Sequence, residues 1–420
     1  MRLTRLLSPI LIALLIGQFL LAPNSFAALD DGYPPDQPAP GRTCPGTELG
    51  VKTISAFNGK AFICTLVNGV QKWWIEGDPI PEPTPSGPTG SAGSTGSNGS
   101  AGSSDPIGGN SMGAQSGPVS HWPPGFPHNY FLSDKAKAKM KIFTDITYAT
   151  DSPSQKLDIY MPIGVKNPPL VIWLHGGGFM VFDKDVLKYD DSAKILEILI
   201  ANGIAVAGID FRLIDEAKFP GAGQDTKSAI RYLRANASKY GYNPKKFAAW
   251  GESAGAYLAL MAGATGDQKT IFDNPADPNI KVSAGVSAVI DLFGNANFRT
   301  MKANLVKYPC SANFGKTITV AENPWFGSEA LPETQVAFDK ANLYPYLKAL
   351  KTLPAFYIFH GDEDCSVSKY ESIELNKVLK SLHGKSSLTL VPGADHGGAK
   401  VWAAAASMGP ILKKFFAGMK

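Results

Sequence analysis

The chain of 420 residues holds only four cysteines and six histidines, and its 40 Lys and Arg against 36 Asp and Glu leave a formal charge of just +4. So few cysteines exclude a miniature scaffold built from disulfides. A nearly balanced charge offers no basic surface for nucleic acid. No cluster of His, Cys and carboxylates supplies ligands for a hydrolytic metal, and beyond the first 27 residues no apolar run is long enough to span a bilayer. What the chain does contain is 44% apolar residues, enough for at least one large core. Gly (43) and Pro (32) exceed average usage, and the excess sits in one stretch.

Composition divides the chain into four parts. Residues 1–27 begin with a basic pair, Arg2 and Arg5, continue with an apolar run from Leu6 to Ala22, and end in Ser25-Phe26-Ala27. This predicts a secretory signal peptide, hence a secreted or periplasmic protein, with an uncleaved N-terminal membrane anchor as the alternative. Residues 42–76 carry two hairpin signals, Asn58-Gly59 and Asn68-Gly69, between β-prone runs, which predicts a three-stranded β module. A Cys44–Cys64 bridge closing a loop of roughly 20 residues would contribute about 3 kcal/mol to so small a core. The module is similar to short Cys-pair, Trp-ending units appended to secreted actinobacterial proteins. Its Trp73 and Trp74 either close the mini-core or present a platform to a polymer or cell-wall surface. Residues 81–118, first Pro-rich and then Gly/Ser-rich, predict a linker. Residues 120–420 are the size of one large α/β domain.

In that last part short apolar runs alternate with helical patterns. Leu157–Met161, Leu170–His175, Ala205–Phe211, Phe247–Gly251, Ala284–Leu292, Ala355–His360 and Leu388–Val391 read as strands buried on both faces. Asp191–Asn202, Gln224–Tyr240, Ser253–Ala264, Tyr370–Leu382 and Lys400–Phe416 read as helices. Such alternation predicts a mainly parallel sheet flanked by helices, with ligands at the carboxyl ends of the strands.

The reactive residues stand at those ends. Gly251-Glu252-Ser253-Ala254-Gly255 follows one strand and opens a helix, as in a nucleophile elbow, where glycines flank a serine on a strained turn. The plainer reading is a Gly-rich turn with a capping serine. A serine hydroxyl needs a general base, and the base needs a partner that holds its tautomer. Of the six histidines, His396 alone follows the last strand, in Gly393-Ala394-Asp395-His396-Gly397-Gly398. The order Ser, acid, His then puts the acid in His360-Gly361-Asp362-Glu363-Asp364, with all three carboxylates still open. His175-Gly176-Gly177-Gly178-Phe179 lets backbone N–H groups approach a developing oxyanion. No lysine follows, so it is not a phosphate-binding P-loop.

With these motifs in place, residues from about 145 to 418 resemble the α/β-hydrolase fold. Within it they resemble bacterial esterases and lipases with an HGGG loop, near the hormone-sensitive-lipase-like and feruloyl-esterase-like enzymes. Leu157-Asp158-Ile159-Tyr160-Met161-Pro162 and the segment Asp225–Arg234 add to the likeness. The resemblance implies Ser253 as nucleophile and His396 as base. It implies Gly177, Gly178 and Ala254 as oxyanion donors, and Asp364, the second aspartate of the family's HG-x-x-D-x-x-V stretch, as the acid. Ser368 stands where the family has proline. No cofactor is implied. Phe179, Phe182 and Trp250 are candidates for an acyl pocket, although aromatics near strand ends are more often core. The strand rhythm lapses over residues 293–353, where a lid is expected.

The reading that follows is a secreted serine carboxylesterase acting on a small-molecule or polymer-linked ester. Its rivals are a peptidase of related fold, for which no apparatus recognising peptide termini is visible, and a non-catalytic binding protein on the same scaffold, which would have lost part of the triad. Four thiols allow three pairings; Cys44–Cys64 and Cys310–Cys365 are expected, the second tying the 293–353 excursion to the acid's loop.

Overall fold

The computed structural model describes residues 52–54, 61–67, 70–75, 132–307, 323–327 and 332–419. Residues 1–27, the linker 81–118, and the cysteines Cys44 and Cys310 lie outside the described residues, as does any side-chain account of Cys64, Trp73 and Trp74. The chain divides into two units, Met1–Ser104 and Asp105–Lys420. In the first, β1 (Lys52–Ile54), β2 (Ala61–Val67) and β3 (Val70–Ile75) form an antiparallel sheet in the order β1-β2-β3. Val67 pairs with Val70 across Asn68-Gly69, the spacing of a two-residue hairpin.

The second unit is built on one sheet of eight strands: β4 (Met140–Thr147), β5 (Lys156–Pro162), β6 (Leu170–Leu174), β7 (Ala205–Ile209), β8 (Phe247–Glu252), β9 (Ala288–Leu292), β10 (Ala355–Gly361) and β11 (Ser386–Val391). Their order is β11-β10-β9-β8-β6-β7-β5-β4. The five pairings from β7 to β11 are parallel, and β5 runs antiparallel to both β4 and β7. Every residue of β6, β7 and β9 is buried, as expected of strands covered by helices on both faces. Two apolar clusters result, one around Phe179, Tyr257 and Trp325 and one around Trp173, Trp250 and Phe293. No helix among the described residues is long and apolar enough to cross a membrane.

Several elements depart from the sequence expectation. The helix expected over 224–240 is two, Gly221–Ala235 and Ala237–Tyr240, and β11, expected to be buried on both faces, is an edge strand exposed at Ser387, Thr389 and Leu390. β4 was not legible because it is an edge strand whose exposed positions carry Lys141 and Asp145, which hides the apolar pattern. β9 starts at Ala288 rather than Ala284. The expected helix 400–416 is two, Gly398–Ala405 and Met408–Ala417. Pro410 has no N–H to offer the Ala406 carbonyl, so the first helix cannot run on. The helix Ala254–Thr265, by contrast, is buried over all twelve of its residues. It lies against β8 and β9, and Tyr257 donates its hydroxyl to the Ala341 carbonyl of the 293–353 excursion at 3.0 Å.

Candidate active site

At the carboxyl end of β8, near the middle of the sheet, Ser253 adopts φ 52° and ψ −119°, a left-handed backbone that costs a non-glycine residue of order 1 kcal/mol or more. The turn is wedged between elements: a Cβ on Gly251 would lie 2.0 Å from the Gly255 carbonyl oxygen, and one on Gly255 2.2 Å from that of Leu174. Ser253 N donates to the Leu292 carbonyl at 2.9 Å. Its side chain makes no capping bond to the helix, which removes the plainer reading of this serine. Instead Ser253 Oγ lies 2.9 Å from His396 Nε2.

The other groups come from the ends of β10 and β11. His396 Nδ1 is 2.8 Å from Asp364 Oδ2, so Nδ1 carries the hydrogen and Nε2 is left to accept the serine proton. Asp364 Oδ1 takes the N–H groups of Ser366 and Val367, both at 2.9 Å. Burial by itself would raise the Asp364 carboxyl; the charge of His396 and hydrogen bonds from His360 and His396 outweigh it and hold the acid well below the usual carboxylate range. Asp362 turns elsewhere, its Oδ1 accepting Gly393 N at 2.7 Å. Asp395 Oδ1 accepts the backbone N–H of His396 (2.7 Å) and of Cys365 (3.1 Å), which fixes the loop bearing the histidine. The Phe293 ring meets the His396 ring at 4.6 Å in an edge geometry.

The glycine loop after β6 abuts the elbow. A Cβ on Gly176 would be 3.4 Å from Ser253 Cβ. Gly177 and Gly178 have φ of +97° and +60°, and a side chain on Gly177 would strike the Val181 carbonyl at 2.3 Å. Ala254 is the first residue of its helix, where an N–H has no acceptor within the helix. Gly177, Gly178 and Ala254 therefore lie on the two segments that border Ser253. Glu252, next to the serine, receives Gly176 N at 3.4 Å, and burial raises its carboxyl to about 7 against that bond and the charge of His396.

Of the aromatic candidates, Phe179 is fully buried and stacks on Trp325 at 3.8 Å, and Trp250 is buried in the cluster on the other side of the sheet. Both are core residues. Phe182 alone is half-buried, beside Gly177. The residue that sequence reasoning passed over is His360: fully buried, it reaches Asp364 Oδ2 at 3.1 Å. The signal available was its spacing of four residues before the acid. Cys365 is next to Asp364, but its expected partner Cys310 is outside the described residues. Among the described residues, no group of three or more His, Cys, Asp and Glu is placed to hold a metal ion.

Residues 157–379 match the family model described as BD-FAE. Among curated proteins, esterase LipC of Mycobacterium tuberculosis is 26% identical over 257 residues, 59% of this chain and 58% of the relative. The probable isoprenylcysteine alpha-carbonyl methylesterase ICMEL1 of Arabidopsis thaliana is 26% identical over 250 residues, 59% of this chain and 49% of the relative. The matches thus span about half the length of the curated relatives. Among solved structures, a truncated carbohydrate esterase from gut microbiota aligns with TM-score 0.57 and 24% identity over 68% of this chain and 99% of that one. A bifunctional GH43-CE protein of Bacteroides eggerthii aligns with TM-score 0.54 and 26% identity over 64% and 38%. The fold they share with the second unit is that of the α/β-hydrolases.

Proposed function

The chain belongs to the BD-FAE family, and from that premise we propose that it is a serine carboxylic ester hydrolase working through an acyl-enzyme. The observation that carries the reading is the line of contacts from Ser253 Oγ to His396 Nε2 (2.9 Å) and from His396 Nδ1 to Asp364 Oδ2 (2.8 Å). Ser253 Oγ attacks the ester carbonyl carbon while its proton passes to His396 Nε2. The N–H groups of Gly177, Gly178 and Ala254 take the carbonyl oxygen as it becomes an oxyanion, each donor being worth about 10²–10³ in rate. The imidazolium gives its proton to the departing alkoxide, and a water activated by the same nitrogen releases the acid and restores Ser253. Asp364 remains ionised and orients His396.

The substrate class is an acyl group, acetyl or aromatic, esterified to a carbohydrate. The family and the structural likeness to carbohydrate esterases support this over an acylglycerol. Residues 1–27 act as an export signal, and residues 42–76 hold the hydrolase near a polymer through the tether 81–118, raising local concentration. A panel of short and long nitrophenyl esters, feruloyl esters, acetylated xylan and polyester film tests the class; turnover confined to long-chain acyl esters or polyester refutes it. Ser253→Ala is expected to abolish turnover of a short nitrophenyl ester, and Asp364→Asn to lower it about 10⁴-fold with the fold retained. Asp362→Asn does far less. Near-normal activity in Ser253→Ala sinks the mechanism.

A further inference from the structure

The acid of the site serves two imidazoles. Asp364 Oδ2 lies 2.8 Å from His396 Nδ1 and 3.1 Å from His360 Nε2, and His360 Nε2 also lies 2.8 Å from the Val367 carbonyl oxygen. A carbonyl oxygen can only accept, and so can an ionised carboxylate. His360 Nε2 must therefore carry a hydrogen, shared between the two. On the other side of the ring, His360 Nδ1 is 2.7 Å from Ser372 Oγ, so in the neutral imidazole the Ser372 hydroxyl donates to Nδ1. Ser372 is held in turn: it is buried on the helix Lys369–Ser381. Its neighbour Glu371 receives Thr300 Oγ1 at 2.9 Å and Asn304 Nδ2 at 2.6 Å from the helix Phe298–Lys307. The His360 ring is fully buried.

We infer that His360 is a positioning residue: its Nε2–H, on a ring held from the other side by Ser372, draws on the charge of Asp364 and so sets the basicity of His396. This rests on the reading of Ser253, His396 and Asp364 given above. A carboxylate divides its negative charge among its donors. Those of Asp364 include Ser366 N and Val367 N on Oδ1 and His360 and His396 on Oδ2. Each donor besides His396 weakens the stabilisation Asp364 gives to the His396 imidazolium, which keeps more of that imidazole neutral, as the base, at lower pH. The same donors stop Asp364 from taking the proton itself. The titratable and charged groups facing this pair include Asp364, Asp291 and Glu371 around His360, and Asp364, Glu252 and Asp395 around His396. All remain in place when His360 or Ser372 is replaced, so a difference between variant and wild type reports the hydrogen bond.

The test uses the full chain and the pH dependence of kcat/KM on a short nitrophenyl ester, whose acid limb reports the base of the free enzyme. His360→Leu is expected to shift that limb upward by about one pH unit, the order lost with a hydrogen bond to a charged group. His360→Gln, whose amide N–H can still donate to Asp364, restores most of the position. Ser372→Ala, which removes one hydroxyl and leaves the ring, moves the limb the same way by less, because an Nδ1 without a donor makes Nε2–H a weaker donor. A lower kcat with the limb unmoved in folded His360→Leu and Ser372→Ala assigns His360 a packing role and overturns the inference. Should His360→Leu not fold, imidazole ¹⁵N shifts of the wild-type chain decide: a hydrogen on Nε2 is expected for His360, and a ring with Nε2 bare overturns the inference. That readout needs no turnover. Failure of the triad reading, seen as unchanged activity in Ser253→Ala, is thereby told apart from failure of this one.

Discussion

Replacing Gly255 by alanine sets a methyl carbon 2.2 Å from the Leu174 carbonyl oxygen and 2.3 Å from that of His175. Neither oxygen can swing aside. Leu174 ends β6, where it pairs with Gly251 on one side and Ile209 on the other, and His175 begins the glycine loop. An ordinary contact between a methyl and an oxygen needs about 1 Å more, so the helix Ala254–Thr265 has to withdraw from β6 by that amount. Ser253, at the head of this helix, then moves away from Gly176–Gly178. A misplacement of about 1 Å costs on the order of 10²-fold in rate, and forcing a methyl into a packed core costs about 1–3 kcal/mol. Gly263→Ala is the control: on the same helix its Cβ meets the Val289 side chain at 2.4 Å, and a side chain can give way without opening the oxyanion loop. The expected outcome is a large loss of kcat on a short nitrophenyl ester for Gly255→Ala, and a lowered unfolding midpoint with far milder loss of rate for Gly263→Ala. Both are assayed well below their midpoints. Gly255→Ala within threefold of wild-type turnover, or equal losses in the two variants, would show that the spacing between helix and loop does not control the chemistry.

Three further outcomes are expected. Burial raises the Glu371 carboxyl to about 7 despite hydrogen bonds from Asn304 and Thr300. The folded chain thus keeps a proton that the unfolded chain gives up, and stability falls as pH rises from the ordinary carboxylate range to about 7. Glu371→Gln removes that loss, so its melting midpoint gains on wild type as pH rises from the ordinary carboxylate range to about 7; a constant offset refutes the account. Peptide mapping without reduction should recover Cys44 with Cys64 and Cys310 with Cys365, whereas a bridge from Cys64 to Cys310 contradicts the modular layout. A chain beginning at Gly117 should keep full activity on a soluble ester and lose it, if at all, only on insoluble substrate. Misfolding or loss on the soluble ester shows that the first unit is needed by the second.

The central strands and the elbow were legible because each is dictated by local chemistry: apolar runs without alternation for β6 to β9, and glycines at 251 and 255 that no other residue can replace. The acid was not legible from the residues alone. Asp362, Glu363 and Asp364 are consecutive carboxylates, and which of them faces His396 is decided by a turn in which Asp364 Oδ1 takes Ser366 N and Val367 N while Asp362 binds Gly393 N. Only the family resemblance singled out Asp364. His360 was hidden for a different reason: its spacing of four residues before the acid was the one signal, and spacing alone does not say that a buried strand-end ring turns towards that carboxylate. Phe179 and Trp250 followed the commoner fate of aromatics near strand ends, stacking on Trp325 or packing beneath the sheet as core rather than lining a pocket.

The helix behind Ser253 has no face in contact with water, and this bears on how the protein would fail when heated. Backbone amides at exposed helix ends exchange with solvent by local fraying, long before a domain opens as a whole. A helix enclosed on every side has no such route; its amides are released only when the sheet and the excursion part together. Past its first turn, where the Ala254 N–H faces the proposed oxyanion site, deuterium uptake over Tyr257–Thr265 should therefore be the slowest in the chain, and its opening free energy should equal that of global unfolding. Activity would then be lost in a single cooperative step, with no earlier stage in which the elbow softens while the rest of the domain stays folded.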